Sequence, residues 1–359
     1  MPFDRNKPYN DLPDLPPHAD LETKPVLRAC ISAYRALAEL KAAGEWIPDQ
    51  GMLINAIPLQ EAKASSEIEN IVTTQDELFK AELNEGVDAN PNAKEVLRYR
   101  TALWKGFNSL RDKPMGINLF RSVCGTILDN EADVRKISGT VIKNTSTHEV
   151  FYTPPLGEQV ILDKLSALER YVHADDEVDP LIRLALIHYQ FEAIHPFHDG
   201  NGRTGRIVNI LYLVEKRLLS IPVLYLSRHI IEHKADYYLR LREVTEEGHW
   251  EPWVLFMLQA VRETASGTTE KIRRIRESFE KTTGICRAQM PGAYSRELVE
   301  LLYRQPYCRI DVLVKNGIAS RQTASKYLRR LEELNVLKGH KHGREIIYLN
   351  RELLEILTQ

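Results

Sequence analysis

Twelve consecutive residues, His195-Pro196-Phe197-His198-Asp199-Gly200-Asn201-Gly202-Arg203-Thr204-Gly205-Arg206, bring together the groups needed to handle a polyphosphate. Gly200 and Gly202 allow backbone conformations closed to other residues, so the chain can bend sharply and present successive N–H groups. The helix predicted to follow adds its unpaired amides and the positive end of its dipole. Arg203 and Arg206, one turn apart, supply two guanidinium groups, and Asn201 a neutral donor. The result is an anion cradle without the lysine of a Walker motif. A carboxylate among anion-seeking groups implies a cation between them, so Asp199 is expected to hold Mg²⁺ jointly with phosphate oxygens. His195, close to neutral at physiological pH, can accept a proton from an incoming hydroxyl, and Phe197 is the apolar anchor of the loop. A rival is a metal site built from His188, His195, His198 and Asp199. Pro196 breaks the helical spacing of a HExxH site, however, and that rival leaves both arginines without a task.

The run His-Pro-Phe-x-Asp-Gly-Asn-Gly-Arg-x-x-Arg resembles the complete active-site motif of Fic domains, with no departure at its chemical positions. The likeness extends across roughly residues 25–265 and the C-terminal segment. It implies a protein adenylyltransferase that moves AMP from ATP onto a hydroxyl side chain. By this resemblance His195 is the general base, Asp199 the Mg²⁺ ligand, and Gly200, Asn201, Gly202, Arg203, Thr204, Gly205 and Arg206 the triphosphate contacts. Ser65-Ser66-Glu67-Ile68-Glu69-Asn70 resembles the family's inhibitory motif, Ser/Thr-x-x-x-Glu-Gly/Asn. In that motif Glu69 would pair with Arg206 and force ATP into an unproductive pose, with Ser65 and Asn70 as its ends. Taken alone, Ser66 and Glu69 also have the spacing of an ordinary capping box.

Val150, Phe151, Tyr152 and Thr153 fall where Fic proteins carry a flap that lays the target's backbone alongside as an added strand; a plain stabilising hairpin is the alternative. Tyr237 and Tyr238 match the place where the family packs an aromatic ring against adenine. Neighbouring residues on a helix face different ways, so one should be core, and Tyr238 is the expected ligand contact.

The elements that must position this loop are mostly helical. Val26, Cys30, Ala33, Leu37 and Leu40 recur at three- and four-residue steps, and further helical patterns run over about 51–64, 74–84, 93–111 and 116–129, with Thr74 and Glu77 spaced as a capping box. Residues 139–155, rich in β-branched and aromatic types and closed by Pro154 and Pro155, read as a β-hairpin. Helical periodicity resumes over about 158–173, 180–193, 203–218, 228–244 and 250–265, and 266–290 reads as a charged connecting helix. Helices at 294–304, 308–315 and 320–334, then a strand-rich stretch from Lys338 to Leu349, give the order of a winged helix-turn-helix. In the third of these helices Ser320 is a candidate cap and Ala324, Tyr327, Leu328, Leu331 and Leu334 share a face, leaving Arg321, Gln322, Lys326 and Arg329 free. The expected fold is therefore mainly α. An N-terminal helical segment (1–90) precedes a Fic-type core (91–265) with a hairpin flap, a linker helix (266–290) and a winged-helix domain (291–359).

Composition sets the outer bounds. A chain of 359 residues with 43% hydrophobic and 27% charged residues can bury a real interior in two or three domains. A formal net charge of -2 argues against a protein wrapped throughout in nucleic acid or coating an anionic membrane. No apolar run approaches a membrane span. Pro8, Pro13, Pro16 and Pro17 make the first 20 residues an extended arm that does not read as a secretion signal. The four cysteines are scattered, as expected for a soluble protein of a reducing cytoplasm.

Between Tyr307 and Ile346 nine basic residues (Arg309, Lys315, Arg321, Lys326, Arg329, Arg330, Lys338, Lys341, Arg344) face four acidic ones (Asp311, Glu332, Glu333, Glu345). DNA binding is open on that count, although protein contact is the favoured use of the module. The expected partner is a target protein offering a tyrosine, serine or threonine hydroxyl. Self-modification and a homodimer are also on the table, and no membrane is expected. The alternatives to an AMP transferase are a nucleotide-sensing transcription regulator and a related phosphotransferase or AMP-removing enzyme using the same loop.

Overall fold

A computed structural model describes residues 3–47, 50–83, 90–136, 140–143, 149–342 and 345–358. Within these the chain runs α1 (Lys24–Ala43), α2 (Gln50–Ile68), α3 (Gln75–Leu83), α4 (Pro91–Ser109), α5 (Ile117–Leu128), β1 (Ile142–Lys143) and β2 (Val150–Tyr152). It continues through α6 (Glu158–Val172), α7 (Pro180–Ile194), α8 (Asn201–Glu215), α9 (Leu226–Glu232), α10 (Lys234–Glu247) and α11 (Trp250–Gln289). The C-terminal module is α12 (Arg296–Arg304), β3 (Tyr307–Cys308), α13 (Ile310–Lys315), α14 (Arg321–Glu333), β4 (Lys338–His342), β5 (Glu345–Leu349) and α15 (Arg351–Thr358). The fold is mainly helical, as expected. No helix among the described residues is long and apolar enough to cross a membrane.

Two helices form the centre. α7 is buried on every side from Leu181 to Ile194 except at Glu192, and α8 is buried from Arg203 to Leu213. A helix apolar all round belongs in an interior, and these two pack on each other with the 195–200 loop between them. Some of the polar groups inside have partners: Arg183 donates to the Tyr171 carbonyl at 2.7 Å, and Trp253 Nε1 to the Ala185 carbonyl at 2.8 Å, whereas Thr204 Oγ1 and the Asn209 amide have none. α4 and α5 cover α8, while α1 lies along α11.

Several boundaries differ from the sequence reading. The 250–265 helix and the 266–290 linker are one helix, because Thr268, Ile272, Ile275, Phe279 and Cys286 continue a buried stripe beneath the charges. The 228–244 pattern is broken at His233 into α9 and α10. Thr74 and Glu77 do form a capping box, Glu77 N–H donating to Thr74 Oγ1 at 3.1 Å and Thr74 N–H to Glu77 at 2.9 Å. The proline-rich arm is extended but not loose: Leu12 is buried, Tyr9 N–H donates to the Thr153 carbonyl at 3.0 Å, and Thr153 Oγ1 to the Arg5 carbonyl at 2.7 Å. The predicted hairpin has its two strands antiparallel; Gly139 and residues 144–148 lie outside the described residues.

In the C-terminal module the expected hairpin gains a third strand, β3, giving the order β3-β5-β4, and a closing helix, α15, that the sequence reading did not separate. Gly343 and Arg344 lie outside the described residues. Ala324, Leu328 and Leu331 are buried, while Arg321, Gln322, Lys326 and Arg329 are exposed. Arg321 is nevertheless paired with Asp311 at 2.5 Å. Ser320 stands at the N-cap position but its hydroxyl meets Thr323 Oγ1 at 3.0 Å instead of a backbone N–H.

The module is docked on α11. Tyr303 of α12 is buried, its hydroxyl shared between Ser278 Oγ at 2.6 Å and Thr282 Oγ1 at 2.9 Å. Tyr303→Phe leaves both hydroxyls without that partner and is expected to lower stability by about 1–2 kcal/mol in urea denaturation. An unchanged midpoint would show that the three hydroxyls contribute nothing to docking.

Candidate active site

α7 ends because Pro196 cannot continue it, and His195 takes the left-handed conformation, φ 49°, that turns the chain out of the helix. Arg135 fixes this corner. Its Nε donates to the His195 carbonyl at 2.7 Å, another nitrogen donates to the Ile194 carbonyl at 3.3 Å, and the same nitrogen reaches the Pro155 carbonyl at the root of the hairpin. Phe197 is buried beneath the loop, as expected. Gly200, φ 74°, then starts α8, whose first amides have no intrahelical acceptor. Gly202, by contrast, is helical. Space, not conformation, requires glycine there, since a Cβ would run into Glu69 Oε1.

Around this corner the charged groups are already engaged. Arg206 is 1% exposed; its Nε donates to Ser65 Oγ at 2.7 Å, and one terminal nitrogen donates to the Ser65 carbonyl and to Glu69 Oε1, both at 2.9 Å. Burial alone would raise the pKa of Glu69, but the Arg206 guanidinium beside it holds the carboxyl below its ordinary value. Glu69 and Asn70 close α2 rather than open a helix. Asn70 adopts φ 65°, and the Ser66 carbonyl accepts from both Glu69 N–H and Ile71 N–H at 3.0 Å. The capping-box reading of Ser66 and Glu69 is therefore corrected, and the asparagine is explained, because Asn and Gly tolerate the left-handed C-terminal position. Arg203 is equally buried and paired with Glu95 of α4, with Asp199 Oδ1 further off at 3.4 Å.

Other expected contacts lie elsewhere. Asn201 ties its amide to the loop, Oδ1 accepting from Phe197 N–H and Nδ2 donating one of its two N–H groups to the Phe197 carbonyl, each at 2.8 Å, so it acts as a strut of the bend. Thr204 is fully buried, and Gly205 is where α7 meets α8: a Cβ there would stand 2.5 Å from Glu192 Oε1 and 3.1 Å from the Phe191 ring. Tyr237 is core, 2% exposed, with its hydroxyl 2.9 Å from His188 Nε2; Tyr238 is 44% exposed and lines a cavity. In the hairpin, Tyr152 and Thr153 are buried roots, Tyr152 donating to the Ala193 carbonyl at 2.8 Å, whereas Val150 and Phe151 are only half-buried. The rival metal site is not assembled: His188 is stacked on Trp253, His198 is exposed, and no metal-holding cluster occurs among the described residues.

His195 itself is half-buried, and its Nδ1 makes no hydrogen bond. Burial, reinforced by the Arg135 charge, pushes its pKa down to about 4, so the ring is neutral near pH 7. Three residues earlier, on the same face of α7, stands Glu192. It is the one acidic residue in that helix, and its Oε1 is buried without a partner. Sequence reasoning missed it, although its i, i+3 relation to His195 was legible. Arg135 and Glu95 carried no such signal. Beside Glu192 opens a cavity of about 460 Å³, walled by Ile142, Phe151, Ala235, Tyr238 and Leu239. A cavity with mostly aromatic and aliphatic walls and a few polar groups, Glu192 and Arg242 among them, next to a cationic corner and a neutral imidazole, suits a ligand with an apolar end and an anionic end.

Burial, against the opposing pull of Arg206, pushes the Glu192 carboxyl up to about 7 from its ordinary 4.5. An acid raised in the folded state stabilises below its unfolded pKa, and that advantage is lost as pH climbs through the folded value. Glu192→Gln cannot ionise, so between pH 5 and 8 its stability relative to the parent should rise, by at most about 3 kcal/mol in urea denaturation. A constant difference would show that Glu192 titrates normally.

Comparison with known proteins agrees with this geometry. Three family models match successive stretches: Fic/DOC family N-terminal over residues 27–108, Fic/DOC family over 120–213, and the SoFic-like protein adenylyltransferase C-terminal domain over 279–353. Protein adenylyltransferase fic-1 of Caenorhabditis elegans is 30% identical over 118 residues, 32% of this chain and 22% of that protein. A probable protein adenylyltransferase, aq_aa38 of Aquifex aeolicus (strain VF5), is 33% identical over 98 residues, 27% of each chain. The chain thus spans about a quarter of the length of the curated relatives it matches. A crystal structure of a Fic family protein from Desulfovibrio desulfuricans G20 superposes with a TM-score of 0.58 over 93% of this chain and 98% of that one at 19% identity. A structure of Fic-1 from C. elegans does so at 0.51 over 70% and 73%, also at 19% identity; both likenesses are of fold. With its N-terminal, central and C-terminal stretches each matched and its cradle assembled from the motif, this chain belongs to the Fic/DOC family.

Proposed function

We propose that the chain is a protein adenylyltransferase that transfers AMP from ATP to a hydroxyl side chain of a target protein, restrained by Glu69. The observation that supports this most is the corner itself: a neutral imidazole, His195, beside a glycine-started helix whose buried Arg206 is held by a carboxylate. An enzyme that moves a charged phosphoryl group needs mainly positioning and charge stabilisation, and those are the functions this corner can serve.

In the reaction the target oxygen forms a bond to the α-phosphorus, the bond from that phosphorus to the bridging oxygen breaks, and pyrophosphate leaves. His195 takes the hydroxyl proton on its ring. A base of pKa about 4 is weak at rest, but polyphosphate charge nearby favours the imidazolium and raises its basicity where it is needed. The first amides of α8 and the Arg203 and Arg206 guanidinium groups carry the charge of the phosphates. Mg²⁺ fits Asp199, a carboxylate 67% exposed at the rim of the cradle, because that ion takes one or two carboxylates and completes its shell with phosphate and water oxygens. Bound there, it would neutralise phosphate charge. Phe151 and Tyr238 are the candidates to flank the adenine, with Val150 and the β2 edge left for the target backbone.

Glu69 occupies the Arg206 guanidinium that a γ-phosphate would take, which is the physical content of the proposed restraint. Glu69→Gly is expected to raise transfer from α-³²P-labelled ATP tenfold or more, the factor that about 1.4 kcal/mol of released pairing gives. It should also lower stability, since Arg206 is left buried and unpaired. Falling stability without added labelling would make Glu69 purely structural. In that background, His195→Ala should lower labelling by about 10²–10⁴ while ATP affinity stays within a few-fold. Label arriving from γ-³²P-labelled ATP instead would make the chain a phosphotransferase.

A further inference from the structure

Glu192 has no task in the mechanism above, yet it is the least satisfied polar group in the cavity wall. The buried hydroxyls around it are committed: Tyr152 donates to the Ala193 carbonyl at 2.8 Å, and Tyr189 meets Thr245 Oγ1 at 2.9 Å, which in turn donates to the Leu241 carbonyl at 3.0 Å. Glu192 Oε1 alone among these lining groups is buried with no partner. A buried acceptor without a donor is costly, and native structures retain one chiefly where something else fills it.

Its position narrows what that donor can be. On one side Glu192 touches the first turn of α8, since a Cβ on Gly205 would lie 2.5 Å from its Oε1, and Arg206 and Glu69 both act on its charge. On the other side it shares a cavity with Phe151, Ala235 and Tyr238, a chamber mostly aromatic and aliphatic, with Arg242 and Thr245 also in its wall. A carboxylate repels phosphate, and the chamber suits a flat apolar ring. In a nucleotide the group that joins ring to phosphate is the sugar, and its free hydroxyls are donors. Glu192 thus belongs both to the wall it shares with Tyr238 and to the neighbourhood of Arg206, the place a sugar takes between base and phosphate.

We propose that Glu192 is the specificity residue for the sugar, its carboxylate accepting a hydrogen bond from the 2′- or 3′-hydroxyl so that the site selects ribonucleotides over nucleotides lacking those groups. The proposal rests on the adenylyltransferase reading and deepens it. A site built to bond a hydroxyl rejects the analogue without it because its own buried acceptor is then stranded.

The test is a calorimetric titration of the full chain carrying Glu69→Gly, at pH 8 with Mg²⁺, using ATP and 2′,3′-dideoxy-ATP. ATP is expected to bind about tenfold to a hundredfold tighter, the range of a hydrogen bond to a charged group. With Glu192→Met added, the ratio should fall to within about twofold, through weaker ATP binding and unchanged or tighter dideoxy binding. Glu192→Gln, which keeps a carbonyl acceptor, should retain an intermediate ratio, and it serves if the methionine variant does not fold. Equal affinity of the parent for both nucleotides overturns the proposal, as does a methionine variant that loses both equally, which would mean that Glu192 acts through charge or the metal. No ATP binding in any variant overturns the adenylyltransferase reading as well, so the two failures are distinguishable.

Discussion

The arrangement of this protein turns on one buried guanidinium. Arg206 points into a region where an unpaired charge would be far more costly than any single contact could offset, so it must always have a negative or strongly polar partner. In the structure that partner is the end of α2, through Ser65 and Glu69. Structural integrity and proposed restraint are thus the same interaction. An anionic ligand would be the natural substitute for Glu69, because it satisfies the same cation.

The loop that serves this cation is rigid by construction. α7 and α8 are buried on nearly all sides, which leaves no freedom to rotate, and Asn201 and Arg135 tie the bend at both ends to backbone carbonyls. Preorganised donors of this kind need no rearrangement when charge develops. Four carboxylates surround the corner in different settings: Glu69 and Glu95 paired to arginines, Asp199 largely exposed, Glu192 half-buried with its Oε1 unpartnered. The same side-chain chemistry is thereby available for the proposed restraint, cation binding and recognition, while Glu95 supports Arg203.

The helix that ends at Glu69 is also held from outside the core. Lys271 of α11 donates to Gln60 Oε1 at 2.8 Å and to the Leu357 carbonyl at 3.3 Å, so α2, α11 and α15 meet at one buried ammonium. Beyond Glu69, the Tyr307 hydroxyl reaches Asp76, and its ring lies 5.9 Å from that of Phe79. The C-terminal module therefore grips the chain on both sides of the Ser65–Asn70 segment. A fully buried Glu61, bonded by Tyr99 at 3.0 Å and by Ser227 N–H at 2.8 Å, fixes the middle of α2 against α4 and α9.

The candidate active-site corner was legible in the chain because its pattern is local: a proline after histidine, glycines at a bend and arginines one turn apart fall within twelve residues. Helical periodicity located most elements for the same reason, since a buried stripe is written in residues three and four apart. What only the tertiary structure decided were pairings between distant segments. Asn201 faces inward, Arg203 belongs to Glu95, Arg135 caps α7 from sixty residues upstream, and Tyr152 and Thr153 are roots and not docking surface. The charged 266–290 stretch became the second half of α11 because the surface covering its buried stripe comes from elsewhere in the chain. A sequence specifies which groups are available. Which of them meet depends on how whole faces pack, and a buried charge accepts whatever partner that packing brings within reach.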